Sequence, residues 1–457
     1  MPGFVLVGGG LAAAMPQAAA AEAGSAPAVA LEHAPTSESP VEDGRVYGPP
    51  APKAEKGKVP DIGWTEAPVG VPSALDQAVN IVTRNYPSAK SARAALGAAA
   101  SDVSAAKWLR FPSLSANLEY LDDSRSPEPQ LSVEVPVWSG GRIGAQIKRA
   151  KASEDASSAS YVETVQSLAL TTSQTYFEAA RLALREQLLS ENLDEHLRLV
   201  GTMERRVAQE VSPLVDLELA RSRAAQVEQE YTVTRAQRRS ALRVLAELIA
   251  SAPYEYGSVP PYDAADLPER GALEEQSVAY DPRLRRLKAA VDVARADFDA
   301  RKASILPQLN AQYTYNDVFG SRAGVVLRAQ TNGGLSQFSE VDSARLRIEG
   351  ALQDLRVADQ QVRRDITNDI IEFDAAKARV EIAMGASETA ARVSESYMRQ
   401  FIAGRRSWLD VMNALREAVT AQLGKVDAEA ATMSARVRLL LRSGRWHPVF
   451  EKEDPSK

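Results

Sequence analysis

Two aspartates, Asp410 and Asp216, stand where a long helical run restarts after a break. At the second break, Gly404 can take the left-handed C′ position, and Ser407 can cap the next helix with Asp410 at N3. At the first break, Glu210-Val211-Ser212-Pro213, Ser212 reads as the cap and Pro213 as N1, which puts Asp216 in the opening turn. A carboxylate beside a helix N-terminus gains ~0.3–1 kcal/mol from the dipole, and that alone accounts for both residues. In a symmetric oligomer the same carboxylates become rings of like charge, which select or bind cations. No other chemistry competes with these readings. The sequence holds no Ser-His-Asp set, no P-loop and no clustered metal ligands. It has no cysteine, and its three histidines (His33, His196, His447) lie far apart. The expectation is a protein that is no enzyme and carries no cofactor or metal.

Composition bounds the class. The 457 residues are 45% hydrophobic and 25% charged, unlike a disordered chain or a bundle of membrane helices. A net charge of -6 gives no reason to expect a nucleic-acid partner. Residues 1–23 read as a signal peptide: an apolar core from Phe4 to Met15, then small residues at Ala18 to Ala21. The alternative is an Ala-rich disordered terminus. Residues 24–72, rich in Pro, Ala, Glu and Gly, read as a flexible arm. The structured part is expected to begin near Ser73, as the cap of a helix, and to end near Ser443-Gly444. A polar tail over 443–457 follows. No later segment has 18 consecutive apolar residues, so a span across a membrane would have to be a β-barrel.

Between those limits the sequence repeats itself. Pro87 opens a helix that Phe111-Pro112-Ser113-Leu114 closes. Pro282 opens another that Leu306-Pro307-Gln308-Leu309 closes, and both pairs of prolines are offset by 195. Tyr176-Phe177-Glu178-Ala179-Ala180 matches Glu372-Phe373-Asp374-Ala375-Ala376 at an offset of 196, and Ser139-Gly140-Gly141 matches Asn332-Gly333-Gly334 at 193. The first repeat is therefore placed at 73–252, a connector at 253–271 and the second repeat at 272–442. Each repeat runs helix, strand, strand, then a very long helical run broken near its middle.

The strands are read from a period of two, at about 113–121, 130–138, 308–318 and 323–331. Leu114, Ala116, Leu118 and Tyr120 oppose Ser113, Ser115, Asn117 and Glu119; Leu131, Val133, Val135 and Val137 oppose Ser132 and Glu134. Leu309, Ala311, Tyr313 and Tyr315 share a face, as do Val325 and Leu327. Lengths of about 8–11 residues suit tilted membrane strands. The alternative is a small soluble sheet, but its apolar face would need a core, and the flanking runs look like coiled coil. The long runs, 142–211, 213–249, 341–401 and 408–441, are dense in Ala, Glu, Arg, Gln and Leu. Four strands cannot close a barrel, and an open edge in lipid costs several kcal/mol per unpaired group, so several chains must pool strands. Three chains supply twelve strands.

The duplicated order, the Phe-Pro-Ser-Leu and Leu-Pro-Gln-Leu junctions, and the segment Phe401-Ile402-Ala403-Gly404-Arg405-Arg406-Ser407-Trp408-Leu409-Asp410-Val411-Met412-Asn413-Ala414 resemble the TolC family of outer-membrane factors over about residues 73–442. The resemblance implies a homotrimer in outer-membrane lipid, with a 12-stranded β-barrel continued by a long periplasmic α-helical barrel. It implies a passive exit duct that works with a periplasmic adaptor protein and an inner-membrane ABC transporter or proton-driven pump. Type I protein secretion is the branch expected from the segment Gly404 to Val411 and the missing lipid-attachment cysteine. Small-molecule efflux is the alternative, and a periplasmic coiled-coil scaffold without a pore a remote one. Residue by residue, the resemblance makes Asp410 a gate aspartate and puts Asn413 where a second gate aspartate is often found. It makes Arg406 the arginine that ties neighbouring tip helices, to a carboxylate such as Asp216, and puts Phe401 at a position that can hold tyrosine. Gly404, Arg405, Val211 and Ser212 fall at the tip turns, the expected adaptor-docking surface. The chain departs from the family's pattern at Arg328 to Leu335, where the first repeat ends in the common form Val135 to Gly141.

Overall fold

The computed structural model describes residues 62–119, 128–250, 262, 267, 269–316, 320–329 and 336–450, all within one compact unit, Ala54–Lys457. The expected signal peptide, most of the arm, most of the connector, the end of the tail and the segment 330–335 lie outside the described residues.

The repeat is built as its sequence pattern dictates. In the first copy, α1 (Ser73–Asn85) and α2 (Pro87–Trp108) are separated at Tyr86, which is held extended by the proline that follows it. In the second, α5 (Arg270–Tyr280) and α6 (Pro282–Ser304) are separated at Asp281, whose side chain accepts from Leu284 N at 3.0 Å. Then come strand pairs, β2 (Ser113–Glu119) with β3 (Glu128–Trp138), and β4 (Gln308–Asn316) with β5 (Gly320–Arg328). The long runs follow: α3 (Arg142–Ala208) and α7 (Ser336–Ile402), each of 67 residues, and α4 (Leu214–Ile249) and α8 (Trp408–Arg442). At ~1.5 Å per residue α3 and α7 each run roughly 100 Å.

The four strands form one antiparallel sheet in the order β2-β3-β4-β5, with the two repeats joined through β3 and β4. Its register separates the faces. Leu114 stands opposite Val133, which stands opposite Tyr313; Ala311 opposes Val325 and Leu309 opposes Leu327. This apolar face has no core on it: Leu114, Leu118, Val325 and Leu327 are 70%, 72%, 65% and 64% exposed. The other face is polar and bonded to itself. Ser115 and Ser132 hydroxyls lie 2.6 Å apart, and Glu134 accepts from Asn310 and from Arg328. A small soluble sheet would bury this apolar face against the helices; among the described residues nothing covers it.

The cores lie among the helices. Leu75, Val79, Tyr176, Phe177, Val437, Leu441 and Trp446 form one cluster, and Leu284, Ile366, Phe373 and Leu439 another. Phe177 and Phe373, matched by the repeat, each lie in one of these two clusters. Beside the second cluster, Asp369 is gripped by Arg438 Nε at 3.1 Å and Arg442 Nη1 at 2.8 Å. Burial nonetheless raises its carboxyl above the usual range. No described helix is long and apolar enough to cross a membrane.

Several boundaries differ from the expected ones. The end of the arm and the start of the tail are ordered against each other: β1 (Ile62–Trp64) pairs antiparallel with β6 (Pro448–Phe450). Trp64 packs at a tilt against the fully buried Trp446, ring centroids 5.3 Å apart, Thr65 and His447 exchange bonds, and Arg436 donates to Val69 O at 2.7 Å. Strands of three residues carry no readable alternation, which is why composition alone suggested loose ends. Ser73 is the first helical residue and not a cap; Pro72 precedes it without a side-chain bond. β5 begins at Gly320, three residues before the expected 323, and α7 begins at Ser336 because nothing between 336 and 341 breaks a helix. β3 begins at Glu128, with Pro129 near its first residue, where a missing N–H is tolerated.

If this clasp holds the chain ends, Trp446→Ala will cost about 3–5 kcal/mol, as emptying a buried aromatic site does. Thermal unfolding of the purified protein checks this. A loose tail would leave the midpoint unchanged.

Candidate functional site

Both long runs turn in the same way. After α7, Gly404 N donates to Phe401 O and Arg405 N to Gln400 O, each at 2.9 Å; after α3, Glu210 N donates to Val207 O and Val211 N to Arg206 O, each at 2.9 Å. This is the paired 6→1 and 5→2 closure of a Schellman motif. The residue in the pivot must be left-handed. Gly404 has φ 71°, which costs a glycine little, and Glu210 has φ 57°, which costs a residue with a Cβ about 1–2 kcal/mol.

The restarts differ. Ser407 caps α8: its hydroxyl accepts from Asp410 N at 3.2 Å and donates to Asp410 Oδ2 at 2.8 Å. Ser212 does not cap α4, contrary to the sequence expectation. The helix starts at Leu214, and the extended Pro213 occupies the cap position without a side-chain bond. Ser212 is one residue too early to reach an orphan amide, and its hydroxyl instead accepts from Arg206 Nε at 3.0 Å. Asp216 lies in the first turn of α4.

The tip turns are fastened by arginines on aromatic rings. Arg406 lies 4.3 Å above the Tyr397 ring, donates to Gln400 Oε1 at 3.2 Å and reaches Asp410 Oδ2 at 3.8 Å. Arg206 lies 4.9 Å over the Phe401 ring, which joins the first tip to the second. The expected pair between Arg406 and Asp216 is not made within one chain among the described residues; Arg406 is spent on its own turn. Arg206, Tyr397 and Gln400 were not singled out from sequence. The signal was the repeat itself, since Arg206 stands six residues before Ser212 as Gln400 stands six before Arg406. Behind the turns Trp408 is buried with Met203, Leu217, Val411 and Met412, and its ring lies 5.2 Å from Phe401.

Asp410 and Asn413 come together with Tyr397 and Glu417 along a groove of about 390 Å³ between α7 and α8. Asp216 lies outside this groove. At the turns themselves, Val211, Leu214, Val215, Ile402 and Leu409 are exposed apolar residues, while the groove carries the carboxylates of Asp410 and Glu417. Such a surface can engage another helix by its apolar residues and an ion or a basic group by its carboxylates.

Residues 79–251 match the model of the outer membrane efflux protein family. No curated protein matches the sequence. Among solved structures, the fold is similar to that of CusC, a protein described in terms of folding and transmembrane channel formation (13% identity, TM-score 0.71, covering 82% of this chain and 92% of that one). It is also similar to the outer membrane protein VceC from Vibrio cholerae (19%, TM-score 0.69, 81% and 96%) and to the open state of the MtrE outer membrane channel from Neisseria gonorrhoeae (15%, TM-score 0.69, 81% and 89%). At such identities the likeness is one of fold. The resemblance to the TolC family is carried by sequence over most of the first repeat and by fold over four-fifths of the chain.

The strain at Glu210 is testable. Glu210→Gly will stabilise the protein by about 1 kcal/mol, by removing the left-handed penalty. The reverse change at the other tip, Gly404→Ala, will destabilise it by a similar amount, and denaturant unfolding measures both.

Proposed function

We propose that this chain, similar to the outer membrane efflux protein family in its first repeat and to outer-membrane channels in its fold, is one protomer of a passive exit duct. Three copies pool their four-stranded sheets into a closed 12-stranded barrel in the outer membrane. The long helices continue it as an α-helical barrel into the periplasm. One observation carries the reading: a sheet with a bare apolar face, a self-bonded polar face and two unpaired edges, β2 and β5. In lipid the apolar face needs no core, the polar face lines a lumen, and each edge must find the edge of another copy.

The tips are the periplasmic end. Asp410 and Asn413, with Arg406, Asp216 and Phe401, form the gate, and Gly404, Arg405, Val211 and Ser212 the adaptor-docking turns. In a trimer Asp410 becomes a ring of three carboxylates that attracts cations. Energy comes from an inner-membrane pump or ABC transporter through a periplasmic adaptor. The family's description, an outer membrane efflux protein, favours efflux, and small molecules are the cargo class proposed for it. Type I protein secretion is the second reading, favoured by the segment Gly404 to Val411 and the lack of a lipid-attachment cysteine. Deleting the gene separates them: heightened sensitivity to toxic compounds supports efflux, and loss of a secreted protein supports secretion.

Two outcomes follow for the duct. The chain has no cysteine, so engineered pairs report cleanly. Ala116→Cys combined in turn with Ala323→Cys, Val325→Cys or Leu327→Cys, all on the apolar face, will cross-link between copies in at least one combination. Ala116→Cys with Val326→Cys, on opposite faces, will not. Failure of every same-face pair contradicts barrel closure. At the gate, Arg406→Ala frees Asp410 and Gln400, so the variant will conduct more than wild type in planar bilayers, and divalent cations will reduce the current. Equal conductance without a divalent effect contradicts the gate.

A further inference from the structure

Roughly 15–25 Å behind the tip turns, at ~1.5 Å per helical residue, a second site lies among α3, α4 and α8. Helix α3 packs along both α4 and α8, while α4 and α8 barely touch each other. The gap between them is a cavity of about 380 Å³, lined by polar side chains from all three helices.

Its charges are unequally matched. Among the arginines that line it, Arg185 donates to Asp427 Oδ2 at 2.7 Å and to Glu230 Oε1 at 3.3 Å. Asp427 is bound by Arg181 as well, at 2.9 Å. The two carboxylates that line the cavity are therefore already engaged. Arg223 on α4 donates only to the neutral Gln226 Oε1, at 2.9 Å, and its buried Nε has no partner. Arg416 on α8 lines the same cavity and has no carboxylate partner among the described residues. Two arginines from different helices thus line one cavity without a carboxylate partner among the described residues, while both carboxylates that line it are bound by Arg185.

The third wall supplies acceptors. His196 and Asn192 on α3 are both more than nine-tenths buried and both line the cavity. His196 Nδ1 lies 2.9 Å from the carbonyl oxygen of Asn192. A carbonyl only accepts, so Nδ1 carries the proton, and Nε2 of the neutral ring is left as an acceptor. Asn192 Oδ1 is buried with no hydrogen-bond partner. Leaving such a group unsatisfied is costly, so the wall asks for a donor where the arginines ask for an anion.

We propose that this cavity is a binding site for a small oxyanion that also donates a hydrogen bond, of the hydrogen phosphate class. Its charged oxygens accept from Arg223 and Arg416, and its hydroxyl donates to Asn192 Oδ1 or His196 Nε2. Sulfate has the charge without the hydroxyl and satisfies only half of the site. Bound there, the anion ties α4 to α8, the helices that carry the two tip turns, and so couples the first hairpin to the second behind the gate. The inference stands on the cavity alone and does not rest on the export reading.

The test uses the full chain purified in detergent at pH 8, where inorganic phosphate is almost entirely the monohydrogen dianion. Calorimetric titration and thermal unfolding compare phosphate, sulfate and chloride at matched ionic strength. Wild type is expected to bind one phosphate per chain and to unfold at a higher temperature in phosphate than in chloride. Sulfate is expected to bind about tenfold more weakly, the loss that one buried hydrogen bond implies. The double variant Arg223→Gln/Arg416→Gln is expected to unfold in chloride like wild type and to lose the phosphate shift. Asn192→Asp, which puts a negative charge where the anion would sit, is expected to lose it as well. No phosphate binding, an equal response to sulfate, or a shift that survives in the double variant overturns the assignment.

Discussion

Among the described residues no strand pairs with the outer edges of β2 and β5, on a sheet whose apolar face is bare. Neither property is tolerable alone in water: the face invites aggregation and the edges invite pairing. Placed together in lipid they become a specification. In the proposed barrel the face is solvated by acyl chains, and each edge pairs with the opposite edge of an identical sheet. Because β3 and β4 join the repeats side by side, α3, which follows β3, packs along α6, which leads into β4, and α6 packs on α7 in turn.

Duplication explains both the economy and the irregularities of the far end. Each copy closes its long helix with the same two hydrogen bonds, but only the second copy has glycine at the left-handed pivot. The first copy retains Glu210 there and loses its serine cap. It compensates through Arg206, which binds the displaced Ser212 and covers Phe401 of the other repeat. The second copy keeps its cap and spends its arginine on its own turn. The two tips are therefore unequal mechanical elements: Arg206 of the first reaches across to the second, while Arg406 stays within its own hairpin.

Much of this was legible in the residues. The period of two in Leu114-Ser115-Ala116-Asn117-Leu118 placed the strand and told its faces apart. The prolines at 87, 112, 282 and 307 marked the ends of corresponding helices, because proline acts locally and leaves the same mark in both copies. What stayed hidden depends on partners distant in sequence. Ile62–Trp64 is too short to show alternation, and it is a strand only because Pro448–Phe450 lies beside it. Ser212 has the right chemistry for a cap, but Pro213 moved the helix start by one residue. The arrangement of Arg223, Arg416, Asn192 and His196 around one cavity needs three helices in register, which no local pattern encodes.

The central claim is that the sheet of one chain is incomplete and is closed by copies of itself. Native mass spectrometry of the detergent-extracted full chain tests this most directly. The account predicts a dominant species of three chains that persists until the detergent is stripped and the sheet unfolds. A folded, stable single chain would show that the β2 and β5 edges need no partner, and would contradict the account.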